Sequence, residues 1–168
     1  MSTQINTRWF KAALMIITLG LLTACGFHLR GAQDVAENKR TVYFIAGNAS
    51  SELTRILEQN MRFNGIVNIS NAPLQLQIVN YNYQRRAATI NSSADVDEYE
   101  LSIEVRFRVN NSAGEPLTSD IEIQQERFYE FDTNAAAASS QQETQIRQEL
   151  HQSMAQTILR RYLSLPIN

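Results

Sequence analysis

Tyr99-Glu100-Leu101-Ser102-Ile103-Glu104-Val105-Arg106-Phe107-Arg108-Val109 sets an apolar residue at every odd position and a polar or charged one at every even position. Side chains alternate across a strand, so this period of two predicts a β-strand with one face in a core and the other in water. Outward from it, Asn110 to Pro116 is a cluster of turn residues, and Leu117 to Phe131 reads as an antiparallel strand returning beside the first. Glu122, Gln124 and Glu126 then fall on the face that carries Arg106 and Arg108. Such cross-strand pairs contribute a few tenths of a kcal/mol to about 1 kcal/mol each, so a solvated charged face is the ordinary reading.

On the N-terminal side, Leu74 to Ala88 is a longer strand. Its apolar residues are even at Leu74, Leu76 and Ile78 and odd at Val79, Tyr81 and Tyr83. A one-residue slip in the alternation predicts a bulge there. Thr41 to Ala46 reads as a further strand, ended by Gly47-Asn48. Ser51 to Gly65 reads as a helix through Leu53, Ile56, Leu57 and Met61, and Ile66 to Ile69 as a short extended piece. At the C-terminal end, Ser140 and Glu143 have the spacing of a capping box. Ile146, Leu150, Met154, Ile158 and Tyr162 then draw one apolar stripe along a helix that runs to Pro166. The order β-α-β-β-β-α predicts a single α+β domain of two layers, a twisted, mainly antiparallel four-stranded sheet with two helices packed on one face. The other face is polar, and at least one long sheet edge is left open to be covered by a partner or blunted by charge.

The first residues carry a different message. Arg8 and Lys11 precede an apolar run from Ala12 to Leu22, and no acid occurs before Asp34. This is the layout of an export signal, too short to span about 30 Å of hydrocarbon. Leu22-Thr23-Ala24-Cys25 then resembles the lipobox of bacterial lipoproteins, with Cys25 the only cysteine of the 168 residues. The resemblance implies cleavage before Cys25, an S-diacylglycerol and an N-acyl chain on that residue, and, with Gly26 rather than Asp following, an outer-membrane destination. Residues 1–24 are thus expected to be a signal peptide, 25–40 a lipidated tether and 41–168 the folded domain. The mature 144 residues hold 13 basic and 17 acidic side chains, a net charge of −4 that argues against nucleic acid as a partner.

Catalytic chemistry is thin. The histidines are His28, in the tether, and His151, next to core Leu150 and read as a surface residue. They build neither a metal cluster nor a nucleophile-base pair. Asp95, Asp97, Glu98 and Glu100 form an acidic run without the spaced ligands and turn glycine of a calcium loop. No phosphate-cradling glycine loop occurs, and no cofactor, metal or enzymatic activity is expected. Arg85 and Arg86 are the first candidates for gripping an anion and Arg106 and Arg108 the second, because guanidinium forks match phosphate bidentately.

Cys25-Gly26-Phe27-His28-Leu29-Arg30-Gly31 resembles the opening of the LptE family of lipopolysaccharide-assembly lipoproteins. The likeness continues through Leu53-Thr54-Arg55, Arg62-Phe63-Asn64-Gly65, Glu98-Tyr99-Glu100-Leu101, Phe128-Tyr129 and Arg160-Arg161-Tyr162-Leu163. It implies a non-enzymatic outer-membrane subunit of the lipopolysaccharide translocon. Such a subunit plugs and helps assemble the LptD β-barrel, faces the periplasm and the barrel lumen, and contacts lipopolysaccharide. The family's basic contact positions correspond to Asn91-Ser92-Ser93 and Ser139-Ser140, where this chain has no base. The competing reading is a generic lipid-trafficking or scaffold lipoprotein.

Overall fold

The computed structural model describes residues 35–167. Cys25, His28 and the signal segment lie outside the described residues. In chain order the elements are β1 (Thr41–Ile45), α1 (Ser51–Phe63), β2 (Val67–Asn68), β3 (Leu74–Ile90), β4 (Val96–Asn111), β5 (Ile121–Glu130) and α2 (Ala136–Ser164). They form one α+β domain whose sheet order is β2-β1-β3-β4-β5.

The expected four-stranded, mainly antiparallel sheet is corrected to a mixed five-stranded one. β1 lies parallel to both β2 and β3, while β3-β4 and β4-β5 are antiparallel. The reason lies in the connection: a helix between two strands of one sheet carries the chain back to the starting end and makes the strands parallel. The short piece after α1 thereby becomes an edge strand of two residues.

The expected bulge is present. Ile78 pairs with Phe107 and Asn80 with Arg106, so Val79 is the extra residue. The slip keeps Tyr81 and Tyr83 on the side of the core after Leu74, Leu76 and Ile78. Leu101, Ile103, Val105, Phe107 and Val109 are completely buried on that face, against Leu53, Leu57 and Met61 of α1 and Leu150, Met154, Ile158 and Tyr162 of α2. Ser50 caps α1, accepting the Leu53 N–H, and Gly47 takes φ +57° in the turn before it.

Boundaries move where side chains supply alternatives to the expected turns. The loop read from Thr89 to Asp97 shrinks to 91–95, because Asn91 Oδ1 accepts the backbone N–H groups of both Ser93 and Asp95 and holds a tight turn. β5 starts at Ile121 rather than Leu117. Leu117 and Thr118 instead curl back, both N–H groups reaching Val109 O. α2 begins four residues before the expected capping box, through a 3-10 turn whose Asn134 N–H is accepted by Asp132. The alanine run favours helix, and Glu143 is engaged elsewhere. The end of the tether also differs: Val35 and Lys39 are buried, and Lys39 Nζ donates to Leu163 O and Leu165 O at the C-terminus of α2. A cation there satisfies carbonyls that the helix leaves without partners.

Candidate functional site

The helices cover one face of the sheet and leave the other open. Rows across the open face follow from the register: Gln77 with Arg108, Asn80 with Arg106 and Glu122, Asn82 with Glu104 and Gln124, Gln84 with Ser102 and Glu126, and Arg86 with Glu100 and Phe128. The face is almost entirely amide, hydroxyl and charge, as its alternation predicts. It turns apolar at the β1-β2 end, with Tyr43 and Ile45 half-buried and Val67 exposed, and at Phe128 on β5, which is also exposed.

The structure does not bring the candidate arginines together. Arg85 and Arg86 are neighbours in β3 and so point to opposite faces. Arg85 lies on the helix side, its guanidinium 3.4 Å above the Tyr99 ring. Its Nε donates to Tyr129 OH at 3.0 Å and stands 3.1 Å from Glu143 Oε2, while Tyr129 OH donates to the same carboxylate at 2.6 Å. Burial and the bond to Glu143 push the Tyr129 hydroxyl up to about 12. Glu143, expected to cap a helix, thus closes a triangle that pins the β3-β4 hairpin to α2.

On the open face, Arg86 Nη2 donates to Glu100 Oε2 at 2.8 Å, with the Arg86 side chain 64% exposed and that of Glu100 only 6%. Arg108 Nε comes within 3.4 Å of Asp120 Oδ1. Glu100 Oε1 and Arg106 Nε are shielded from water and have no hydrogen-bond partner, as is true of Tyr83 OH and Gln125 Oε1 on the helix side. Buried polar atoms are nearly always paired, and an unmet one costs about 1–3 kcal/mol.

Two further features were hidden from sequence reasoning. His151 is not the expected surface residue; it is 2% exposed. Its Nε2 meets Tyr81 OH at 2.9 Å and Ser50 Oγ at 3.3 Å, and Nδ1 lies 2.9 Å from Arg147 O and 3.4 Å from Glu52 Oε2. Burial lowers its pKa from the ordinary value. The position of His151, one residue past Leu150 on the stripe of a helix packed against both α1 and β3, was the available signal. Ser50 Oγ also accepts the Leu53 N–H as a helix cap, so this cluster ties the start of α1 to α2 and β3. The second feature is a cleft of about 670 Å³ between the hairpin and the first turns of α2. Phe131, Ala135 and Ala138 line it, and Asp97, Glu98, Glu130 and Asp132 give it an acidic rim that opposes anions. Among the described residues no three His, Cys, Asp or Glu side chains are placed to hold a metal ion. Among the same residues no helix is long and apolar enough to cross a membrane.

The fold recurs in lipoproteins. A crystal structure of rare lipoprotein B from Shewanella oneidensis aligns with a TM-score of 0.63 at 25% identity, covering 74% of this chain and 94% of that one. The solution structure of an uncharacterized lipoprotein B from Nitrosomonas europaea aligns with a TM-score of 0.68 at 24% identity, covering 83% of this chain and 91% of that one. In sequence, the LPS-assembly lipoprotein LptE of Pectobacterium atrosepticum is 25% identical over 162 residues, 90% of this chain and 86% of the relative. The family model for LptE, lipopolysaccharide-assembly, matches residues 39–162, and the chain belongs to that family. The resemblance seen in the sequence is thereby established at the level of the family, one of envelope lipoproteins of lipopolysaccharide assembly.

Proposed function

We propose that this chain is the lipid-anchored outer-membrane subunit of the lipopolysaccharide translocon, held by acylated Cys25. In this reading it occupies the lumen of the LptD β-barrel, helps that barrel assemble and contacts lipopolysaccharide in transit. It carries no catalytic residue and needs no cofactor. The observation that supports it best is the open face of the sheet, a broad surface of amide, hydroxyl and charged side chains that the helices leave uncovered. Barrel lumens are polar, and a compact domain with such a face offers them hydrogen bonds rather than grease. The same face holds Arg86, Arg106 and Arg108, to which we assign the phosphate contact. Arg85 we assign to holding the hairpin, because Tyr99, Tyr129 and Glu143 already engage it.

The test is extraction of a tagged copy from outer membranes in mild detergent. A large β-barrel identified as LptD is expected to come out with it. A chain that emerges alone supports a free-standing scaffold lipoprotein instead. Cys25→Ser separates anchor from domain: membrane attachment is expected to fail, while a domain already seated in its barrel stays bound.

A further inference from the structure

We infer that the free edge of β5 is a docking site for an extended segment of a partner protein, which adds to the sheet as a further strand and sets basic side chains opposite Glu122, Glu126 and Glu130. The ladder decides which groups are free. Phe131 N–H donates to Asp97 O at 2.8 Å, continuing the register in which Tyr99 faces Tyr129. The odd residues of β5 therefore turn their backbone groups towards β4. In an antiparallel pair the N–H and C=O of one residue point the same way and the direction alternates along the strand. Glu122, Gln124, Glu126, Phe128 and Glu130 consequently turn theirs outward, at the end of the strand order. The Glu126 carbonyl accepts from Arg127 Nη1 at 2.8 Å, as a carbonyl on an open edge can.

The two sides of the sheet are unequal. On one, β2 offers two residues and the edge is stepped, β1 pairing with β3 only at Gln75–Gln77 and Asn48 binding both the N–H and the C=O of Tyr81 beyond it; on the other, β5 offers ten residues in one straight run. A long bare edge is a template for another strand, and charge selects which strand. Two copies of this chain pairing antiparallel about Glu126 would set Glu126 against Glu126 and Glu122 against Glu130, like charges on one face. A second copy is thereby disfavoured, and a strand with Arg or Lys on that face is favoured by the same rows. The helix side applies another filter. A groove of about 520 Å³ runs beside the first half of β5, between Ile121 and Ile123 on the strand and Thr157 and Arg160 on α2. Alternate side chains of the incoming strand enter it and meet Ile121 and Ile123 on the strand side and Thr157, Arg160 and Arg161 on the helix side. Main-chain hydrogen bonds then supply affinity and the two rows of side chains supply selectivity.

The site is defined by strand chemistry and stands apart from the assignment of LptD as barrel partner. It is tested on the ¹⁵N-labelled full chain in detergent, titrated with an end-blocked ten-residue peptide alternating Arg and Val. Comparison peptides carry Glu in place of Arg, or N-methyl groups on alternate amides. The Arg-Val peptide is expected to slow hydrogen exchange at Gln124, Glu126 and Phe128 and to bind at least tenfold more tightly than the Glu-Val peptide. N-methylation removes the protection, and the exposed triple change Glu122→Arg, Glu126→Arg, Glu130→Arg reverses the preference. Equal binding of all peptides, protection elsewhere than β5, no protection at all, or dimerisation through β5 overturns the inference. None of these results depends on whether the barrel is co-extracted.

Discussion

The two faces of β4 are made by alternate residues of one strand, yet they obey different rules. On the helix face Leu101, Ile103, Val105, Phe107 and Val109 are sealed from water, and Arg85 is tied there to Tyr129 and Glu143. On the open face Ser102, Glu104, Arg106 and Arg108 are half-buried, and Arg108 reaches Asp120. The first face stabilises the domain, and the second is the one we propose meets a partner. A substitution should therefore read out as lost stability on one face and as lost association on the other.

The largest expected contrast is between neighbours 106 and 107. Phe107→Ala empties a completely buried site and should cost about 3–5 kcal/mol in urea unfolding. Arg106→Ala should change stability by less than about 1 kcal/mol. Equal costs would erase the distinction between the faces. Next comes the triangle that fastens the hairpin: Tyr129→Phe removes the hydroxyl between Arg85 and Glu143 and should cost roughly 1–3 kcal/mol, because both partners are charged. Gln84→Ala, one residue before Arg85 but exposed on the open face, should leave the unfolding midpoint nearly unmoved.

His151 gives a smaller effect with a definite sign. Its pKa in the fold is lowered by burial, so between that value and the ordinary one near 6.5 the unfolded chain binds the proton and the folded chain does not. Its contribution is full above about pH 6.5 and is lost as the pH falls through that value towards the lower folded one. Urea midpoints between pH 8 and pH 5 should decline, and His151→Gln should flatten that decline. A decline unchanged by the substitution assigns the pH dependence to other groups. The smallest stability effect, within about 0.5 kcal/mol, is expected for Arg106→Gln with Arg108→Gln, which should instead weaken lipopolysaccharide binding several-fold in a titration.

Legibility in the sequence followed the same division. The alternation of 99–109, the slip at Ile78-Val79 and the stripe from Ile146 to Tyr162 report burial directly, and the structure carries all three. Strand direction leaves no mark in composition, which is why the parallel pairing of β1 with β3 went unread. Side-chain partners across the fold are equally silent. Ser140 and Glu143 have capping-box spacing, but a tyrosine fourteen residues upstream of Glu143 captures the carboxylate. His151 looked like a surface histidine because the residues that satisfy it, Ser50 and Tyr81, are 101 and 70 positions away. The adjacency of Arg85 and Arg86 suggested a joint anion grip, whereas strand geometry sends them to opposite faces.

The measurement closest to the central claim compares barrel recovery for two sets of exposed or half-exposed substitutions. One set, Gln84→Arg, Ser102→Arg and Gln124→Arg, burdens the open face of the sheet; the other, Gln148→Arg, Gln152→Arg and Gln156→Arg, burdens exposed positions of α2. Both variants should fold, with unfolding midpoints close to the parent's. The account predicts that the sheet variant loses LptD on mild-detergent extraction and the helix variant keeps it. Retention of the barrel by the sheet variant, or its loss from the helix variant alone, would contradict the open face as the surface this protein works with.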